Sequence, residues 1–193
     1  RQIAPSAYAE LESIELDALD VTVFNGVAPP IRAGQSALYI HPTGADSPWP
    51  NRGRVFDPII TRIEREEPLL RWIHGLRSVG ITSALRLVLS AGDVSVATSL
   101  GSDGEDAMIV RRDLGTQRLA AVAFRISESN FPLQIAYPLF LLNAIDWLSA
   151  DTHELVPTYT TDRAFSVSVS GTEGLDTVDV SGPDGQVESV SVV

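Results

Sequence analysis

The polar residues best placed to do chemistry lie between a predicted strand and a predicted helix. Arg125, Glu128, Ser129 and Asn130 follow one apolar segment and precede another. A helix N-terminus can hold an anion, so this cluster could bind a carboxylate. The same residues also suit a purely structural role, in which Ser129 or Asn130 caps the helix and Arg125 pairs with Glu128. The sequence leaves both interpretations open.

Two further candidates lie where predicted strands end. Asn25 follows an apolar strand at residues 21–24, and His41 directly follows another at residues 37–40. Ligand sites of α/β folds lie at the carboxyl ends of strands, so Asn25 and His41 join Arg125, Glu128 and Ser129 as candidate ligand or interaction residues. Catalysis by His41 would need a nucleophile and an orienting acid, and the spacing identifies neither. We expect His41 to be an exposed loop residue.

The remaining titratable residues give no recognisable site. His74 lies in an apolar stretch and is expected to be partly buried, and His153 falls in a linker. The acidic residues of the central region fit no calcium loop and no His-Glu-x-x-His motif, so we interpret them as a solvated face. They are Asp57, Glu64, Glu66 and Glu67. We expect no metal, no cofactor and no catalytic residue.

Composition limits the possible functions of the 193 residues. A hydrophobic content of 44% supports a folded core, while a net charge of −11 argues against a nucleic-acid surface. The absence of cysteine excludes disulfides and a thiolate nucleophile. No apolar run approaches the ~20 residues that span a bilayer. The chain opens on Arg1 without a leader, so we expect a piece of a larger protein.

The pattern of elements predicts an α/β domain over residues 1–150. A helix is predicted around Tyr8, Leu11 and Ile14, and residues 41–58 read as a loop. Short turns between the later strands favour antiparallel neighbours, so the sheet should be mixed. The later strands are predicted at residues 84–89, 94–98, 107–112 and 118–125.

An apolar helix is predicted at residues 138–150. Its polar residues form one narrow stripe, so we expect the rest to be buried and Leu139, Leu142, Ile145 and Leu148 to pack on the sheet.

The composition changes after residue 150. Residues 163–170, 175–181 and 187–193 alternate apolar and polar side chains, which predicts a short β-meander over residues 151–193. Three strands are too few to be stable alone, so this appendage resembles the start of a β-sandwich. We expect it to dock on the α/β domain or to pair with another copy.

Three segments resemble a known family. They are residues 20–30 with Val23-Phe24-Asn25-Gly26-Val27-Ala28-Pro29, residues 67–73 with Pro68-Leu69-Leu70-Arg71, and residues 131–148 with Leu133-Gln134-Ile135-Ala136-Tyr137-Pro138. In these the chain is similar to the glutamine amidotransferase-like domain of von Willebrand factor A-domain membrane proteins of the aerotolerance type. The resemblance covers about residues 5–150 and implies a flavodoxin-like mixed sheet.

The resemblance implies a fold without the enzyme activity. Class I glutamine amidotransferases use a Cys–His–Glu triad, and this chain has no cysteine. By the same likeness the parent protein is membrane-tethered, with this domain on the periplasmic side. The domain would then lack its opening strand and helix, which would expose a sheet edge at residues 21–24 to a preceding segment or a neighbouring chain.

Three hypotheses follow. The first is a non-catalytic accessory domain that senses a ligand or binds a protein partner or neighbouring domain, with possible homo-oligomers through sheet edges. The second is a hydrolase or amidase that uses a Ser or Asp with His41. The third is a carbohydrate- or peptide-binding module, for which Trp49 is the candidate aromatic. An exposed apolar edge or face would favour the first hypothesis.

Overall fold

The computed structural model describes residues 3–4, 7–8, 11, 19–30, 32–101 and 104–149, and the backbone of residues 177–181 and 187–191. The chain divides into two compact units, Arg1–Leu155 and Val156–Val193. The first unit holds all of the candidate site residues.

A six-stranded mixed sheet forms the centre of the first unit. Its order is β1-β2-β8-β7-β6-β4, with β1, β2 and β8 parallel and the remaining neighbours antiparallel. A separate antiparallel pair joins β3 to β5. The strands are β1 Val21–Asn25, β2 Ser36–Ile40, β3 Asn51–Phe56, β4 Ile60–Ile63, β5 Ser83–Leu87, β6 Asp93–Gly101, β7 Gly104–Asp113 and β8 Arg118–Val122.

The predicted α/β fold with a mixed sheet is confirmed, with two corrections to its strands. Residues 41–58 are not all loop, because β3 lies within them, and β4 was not predicted. The short turn at residues 91–93 predicts that β5 and β6 are antiparallel neighbours, but β5 pairs with β3. The side chain of Arg86 on β5 reaches Asp106 on β7 (3.4 Å), and an isolated antiparallel bridge joins Ala84 of β5 to Phe124 after β8.

One helix, α1 (Ala136–Ser149), covers the parallel half of the sheet. Every residue of β2 is buried, as expected for a strand covered on both faces. Helix α1 buries Phe140, Ala144 and Trp147. The predicted helix is confirmed, but its predicted contact face is partly wrong. Leu148 is buried, whereas Leu142 is 65% exposed and Ile145 is 47% exposed.

Four short 3₁₀ helices complete the described part of the first unit: Pro68–Leu70, Leu76–Ser78, Ile126–Glu128 and Phe131–Leu133. The first lies beside α1, where the side chain of Asn143 donates hydrogen bonds to the carbonyls of Leu69 (3.3 Å) and Arg71 (2.7 Å). Of the predicted first helix, Ala7, Tyr8 and Leu11 are described: Ala7 and Tyr8 are helical, whereas Leu11 is not.

The second unit contains an antiparallel hairpin of β9 (Thr177–Ser181) and β10 (Val187–Ser191). These strands correspond to the last two predicted ones, and the strand predicted at residues 163–170 lies outside the described residues. None of the helices in the described part of the chain has the length and apolar character needed to cross a bilayer.

Candidate functional site

The carboxyl ends of the three parallel strands bring together most of the candidate residues. The amide of His41 donates to the carbonyl of Val122 (2.7 Å), which joins the ends of β2 and β8. The amide of Gly26 donates to Ile40 (2.8 Å), and the hydroxyl of Thr43 donates to the carbonyl of Gly26 (2.6 Å). These bonds hold the loop after β2 across the end of β1.

His41 is buried, not exposed as predicted. Only 1% of the residue is accessible, and its backbone has a left-handed φ of 50°, which is uncommon for a residue other than glycine. Neither ring nitrogen has a hydrogen-bond partner within the described part of the chain. The sequence could not reveal this burial, because it depends on the loop after β2 being held across the end of β1 by the bond from Thr43 to Gly26, a contact between residues distant in sequence.

The surroundings of His41 favour its neutral form. Burial lowers the pKa of His41 because the imidazolium would lose its hydration, and the charges of Arg125 and Arg54 lower it further. Glu128 opposes this shift with a smaller effect. Arg54 lies on β3 and Arg125 lies in the segment after β8. Strand β5 connects the two, because Leu85 pairs with Arg54 and its amide donates to the carbonyl of Ala123 (2.8 Å).

The cluster after β8 is held together by local bonds. The guanidinium of Arg125 lies 3.6 Å from the carboxylate of Glu128, and the hydroxyl of Ser83 lies 3.4 Å from the same carboxylate. Ser129 donates its hydroxyl to the carbonyl of Ile126 (2.9 Å) and accepts the amide of Phe131 (3.3 Å). The ion pair of Arg125 with Glu128 and the turn capped by Ser129 agree with the purely structural role considered above. Ser129 does not cap the long helix, because α1 begins only at Ala136.

Asn25 lies apart from this cluster. It ends β1 and its side chain is exposed. Asn25 is opposite Ile40 in the parallel register, so it lies one strand away from His41. The structure therefore gathers His41, Arg125 and Glu128, places Ser129 beside them in a turn, and leaves Asn25 at the open edge of the sheet.

An open cleft of about 540 Å³ lies near these residues, and no sequence pattern indicated it. Asp57 and Ile59 form one side, and residues 77–82 form the other. The side chain of Asn130 accepts the amide of Gly80 (2.9 Å) and so fixes one wall. Asp57 has a left-handed φ of 48°, a conformation that sequence patterns do not reveal.

The aromatic residue proposed for a binding groove is in the core. Trp49 is fully buried, with its ring 6.1 Å from that of Tyr39, so it lines no groove. A different tryptophan is on the surface: Trp72 is 76% exposed and has a left-handed φ of 64°. A bulky residue rarely adopts this φ, so the 3₁₀ helix Pro68–Leu70 and the hydrogen bonds from Asn143 must hold the turn that exposes Trp72.

The predictions for Glu67 and His74 are wrong. Glu67 is not freely solvated, because its carboxylate takes two hydrogen bonds from Arg111, one of them at 3.1 Å. His74 is exposed instead of partly buried, and His153 lies outside the described residues. In the part of the chain that is described, no group of three or more His, Asp or Glu side chains is placed to hold a metal ion.

Large apolar side chains form an exposed stripe along α1. Pro138, Leu142 and Ile145 recur at intervals of four and three residues, so they share one face of the helix. Leu133 and Ile135, in the segment that leads into α1, are 88% and 82% exposed. We call these five residues the apolar stripe. Single exposed leucines are ordinary, whereas larger exposed apolar patches are typical of surfaces that bind something.

Comparisons with known proteins bear on the fold. No family model matches this chain, and no curated protein matches it. A solved structure that resembles it is the cytoplasmic protein STM3548 from Salmonella typhimurium, with a TM-score of 0.55 and 13% sequence identity. The alignment covers 69% of this chain and 73% of that one. At this identity the likeness shows a shared α/β fold and nothing about activity.

Proposed function

We propose that this chain is a non-catalytic interaction domain of a larger membrane-anchored protein of the von Willebrand factor A-domain type. In this proposal the domain has the flavodoxin-like, glutamine amidotransferase-like architecture and lies on the periplasmic side of the membrane. The observation that carries the interaction role is the apolar stripe. Leu133, Ile135 and Leu142 leave most of their apolar surface in water, which costs free energy unless a partner covers them.

The arrangement around His41 supports a role without catalysis. A hydrolase of the second hypothesis needs a hydroxyl or carboxylate bonded to the imidazole, and another group to orient the ring. Neither nitrogen of His41 has such a partner among the described residues, and 1% accessibility leaves no room for a substrate. The Ser83 hydroxyl is directed to Glu128 and not to His41.

The partner that we propose for the apolar stripe is a neighbouring domain of the same polypeptide. A contact within one chain is held at high effective concentration, so a modest apolar surface suffices. Interfaces between domains of one chain commonly have this mixed character, with exposed aliphatic residues beside polar ones such as Asp146. This role requires no bound metal and no cofactor.

Footprinting of the full-length polypeptide tests the proposal. A photoactivated carbene labels accessible aliphatic side chains, and labelling of the 193-residue chain is compared with that of the same residues in the full-length protein. We expect Leu133, Ile135 and Leu142 to lose most of their labelling in the full-length protein. Phe56 and Leu114, which are 71% and 55% exposed, serve as control positions and should keep theirs.

A variant gives an independent readout. Leu142→Asp places a charge in the stripe without touching the core, so it should restore labelling of Leu133 in the full-length protein. Leu114→Asp should leave the pattern unchanged. Equal labelling of the stripe in the short chain and in the full-length protein would contradict the proposal.

A further inference from the structure

The two outer strands of the six-stranded sheet differ in how their open edges are protected. Strand β4 is short, its register with β6 is irregular between Ile60 and Arg62, and Arg62 pairs with Glu64 (2.7 Å) and Glu105 (3.6 Å). Bulges and charges of this kind prevent another strand from adding to an edge. Strand β4 is therefore a closed edge.

Strand β1 has neither the charges nor the irregular register of β4. Its sequence, Val-Thr-Val-Phe-Asn, carries no charge, no proline and no glycine, and its register with β2 is regular. In the described part of the chain β1 pairs only with β2. Val23 in the middle of the strand is 50% exposed. An uncharged, regular edge of this type is a template for a further strand.

The direction of the backbone amides shows which groups of β1 are available. The amide of Gly26 donates to Ile40 on β2, so it points into the sheet. Because backbone amides alternate in direction along a strand, those of Asn25, Val23 and Val21 point to the open edge instead. Their carbonyls point the same way, which leaves a row of donors and acceptors along the edge.

We infer that β1 pairs in antiparallel fashion with β1 of a second copy of this chain, with Val23 on the two-fold axis. In that register Val23 faces Val23 of the second copy and exchanges two hydrogen bonds with it. Val21 faces Asn25 in the same way, and Thr22 faces Phe24. No charge opposes a like charge, so the strand is complementary to itself, as a two-fold interface requires. The result is one sheet of twelve strands across two copies.

The association of two copies through β1 should depend on salt concentration. Each copy carries a net charge of −11, so two copies repel at long range, whereas the strand that joins them is uncharged. Salt screens the repulsion and leaves the backbone hydrogen bonds in place. Association through β1 should therefore become tighter as ionic strength rises. This interface goes beyond the proposed function, because it uses β1 and not the apolar stripe on α1.

A pair of charge variants tests the register. Val23→Lys and Val23→Glu each place two like charges opposite one another on the axis, and each should raise the dissociation constant of the dimer at least about tenfold. An equimolar mixture should restore dimers, and native mass spectrometry should show them to be heterodimers. Thr61→Lys, at an exposed position of the closed edge β4, is the matched control and should associate like the wild type. Leu142→Asp should also dimerise normally, which separates this inference from the proposed function.

Amide hydrogen exchange in the unmodified chain gives an answer that does not depend on the variants folding. The Val23 amide should exchange slowly at high protein concentration and quickly after dilution. A wild-type chain that stays monomeric at all concentrations would overturn the inference. So would a Val23 amide that is equally protected at every concentration, because another segment or a different partner would then cover the edge.

Discussion

Arg111 and Arg112 are neighbours on β7, yet they stack on different tryptophans on opposite faces of the sheet. The guanidinium of Arg111 lies 5.6 Å from the ring centre of Trp147 on α1, and that of Arg112 lies 5.2 Å from the ring centre of Trp49. Successive side chains of a strand point to opposite faces, so Arg111 and Arg112 connect β7 to Trp147 on one face of the sheet and to Trp49 on the other.

Each arginine also has a carboxylate partner. Arg112 donates to both oxygens of Asp93, at 2.7 and 3.0 Å, and Arg111 donates to Glu67. The Asp93 side chain is fully buried. Burial alone would raise the pKa of Asp93, but hydrogen bonds from Arg112 and from the Ser90 amide outweigh it and hold that pKa below its ordinary value.

Removal of the Asp93 carboxylate should strongly destabilise the first unit. Asp93→Ala leaves Arg112 buried without its counter-charge, so we expect the free energy of unfolding to fall by about 3–5 kcal/mol. Asp113→Ala is the control, because its pair with Arg118 is more exposed, and it should cost no more than about 1 kcal/mol. Urea unfolding followed by tryptophan fluorescence measures both, since all three tryptophans lie in this unit. Equal losses in the two variants would contradict the assignment.

Acid should weaken the fold in two separate pH windows. The pKa of His41 is lowered from 6.5, so its contribution to stability is complete above about pH 6.5. It is lost as the pH falls toward the folded pKa, because the unfolded chain then binds a proton that the folded chain does not. Asp93, with a pKa lowered from 3.8, is affected only at more acidic pH.

The variant His41→Asn should abolish the loss of stability in the His41 pH range and leave the loss at more acidic pH unchanged. Asparagine tolerates the left-handed φ of this position and does not titrate. The unfolding free energy of the variant should therefore be constant between pH 7.5 and about pH 5. His74→Asn, at an exposed position, should keep the wild-type profile. Urea titrations at several pH values measure the slope. A wild-type chain with no loss of stability across this range would refute the prediction.

The local patterns predicted most of the elements, because each depends on residues close together in sequence. The buried run of β2 and the apolar helix α1 are examples. The patterns could not show which strands pair. The prediction for β5 is wrong because its partner β3 lies about thirty residues away, in the proline-rich segment that was predicted to be a loop.

The side-chain environments were harder to predict. His41 and Trp49 both lie in this proline-rich segment, where composition suggests exposure. Both are buried, and the ring of Trp49 packs against that of Tyr39 on β2. Helix α1 shows the opposite error. Its sequence is apolar on nearly all sides, so the pattern gives no means of telling the face that meets the sheet from the apolar stripe that faces away from it.

We predict that the chain has no glutaminase activity. Acyl transfer from glutamine requires an activated nucleophile, and the sequence has no cysteine to supply a thiolate. Incubation with glutamine should release no ammonia above the background of a heat-denatured sample. Ammonia release by the wild type that disappears in His41→Asn would show that the chain is an enzyme and would revive the hydrolase hypothesis.

Two substitutions on α1 should separate its two faces. Phe140 is 1% exposed and its ring lies 5.9 Å from that of Phe131, so Phe140→Ala removes a large core side chain and should cost about 3–5 kcal/mol of unfolding free energy. Leu142→Ala should change the unfolding free energy by no more than about 0.5 kcal/mol, because this side chain is 65% exposed and alanine is a good helix former. Urea unfolding of the two variants provides the comparison. A loss at Leu142 as large as that at Phe140 would mean that Leu142 is covered within the isolated chain, and the apolar stripe would then not be a free surface.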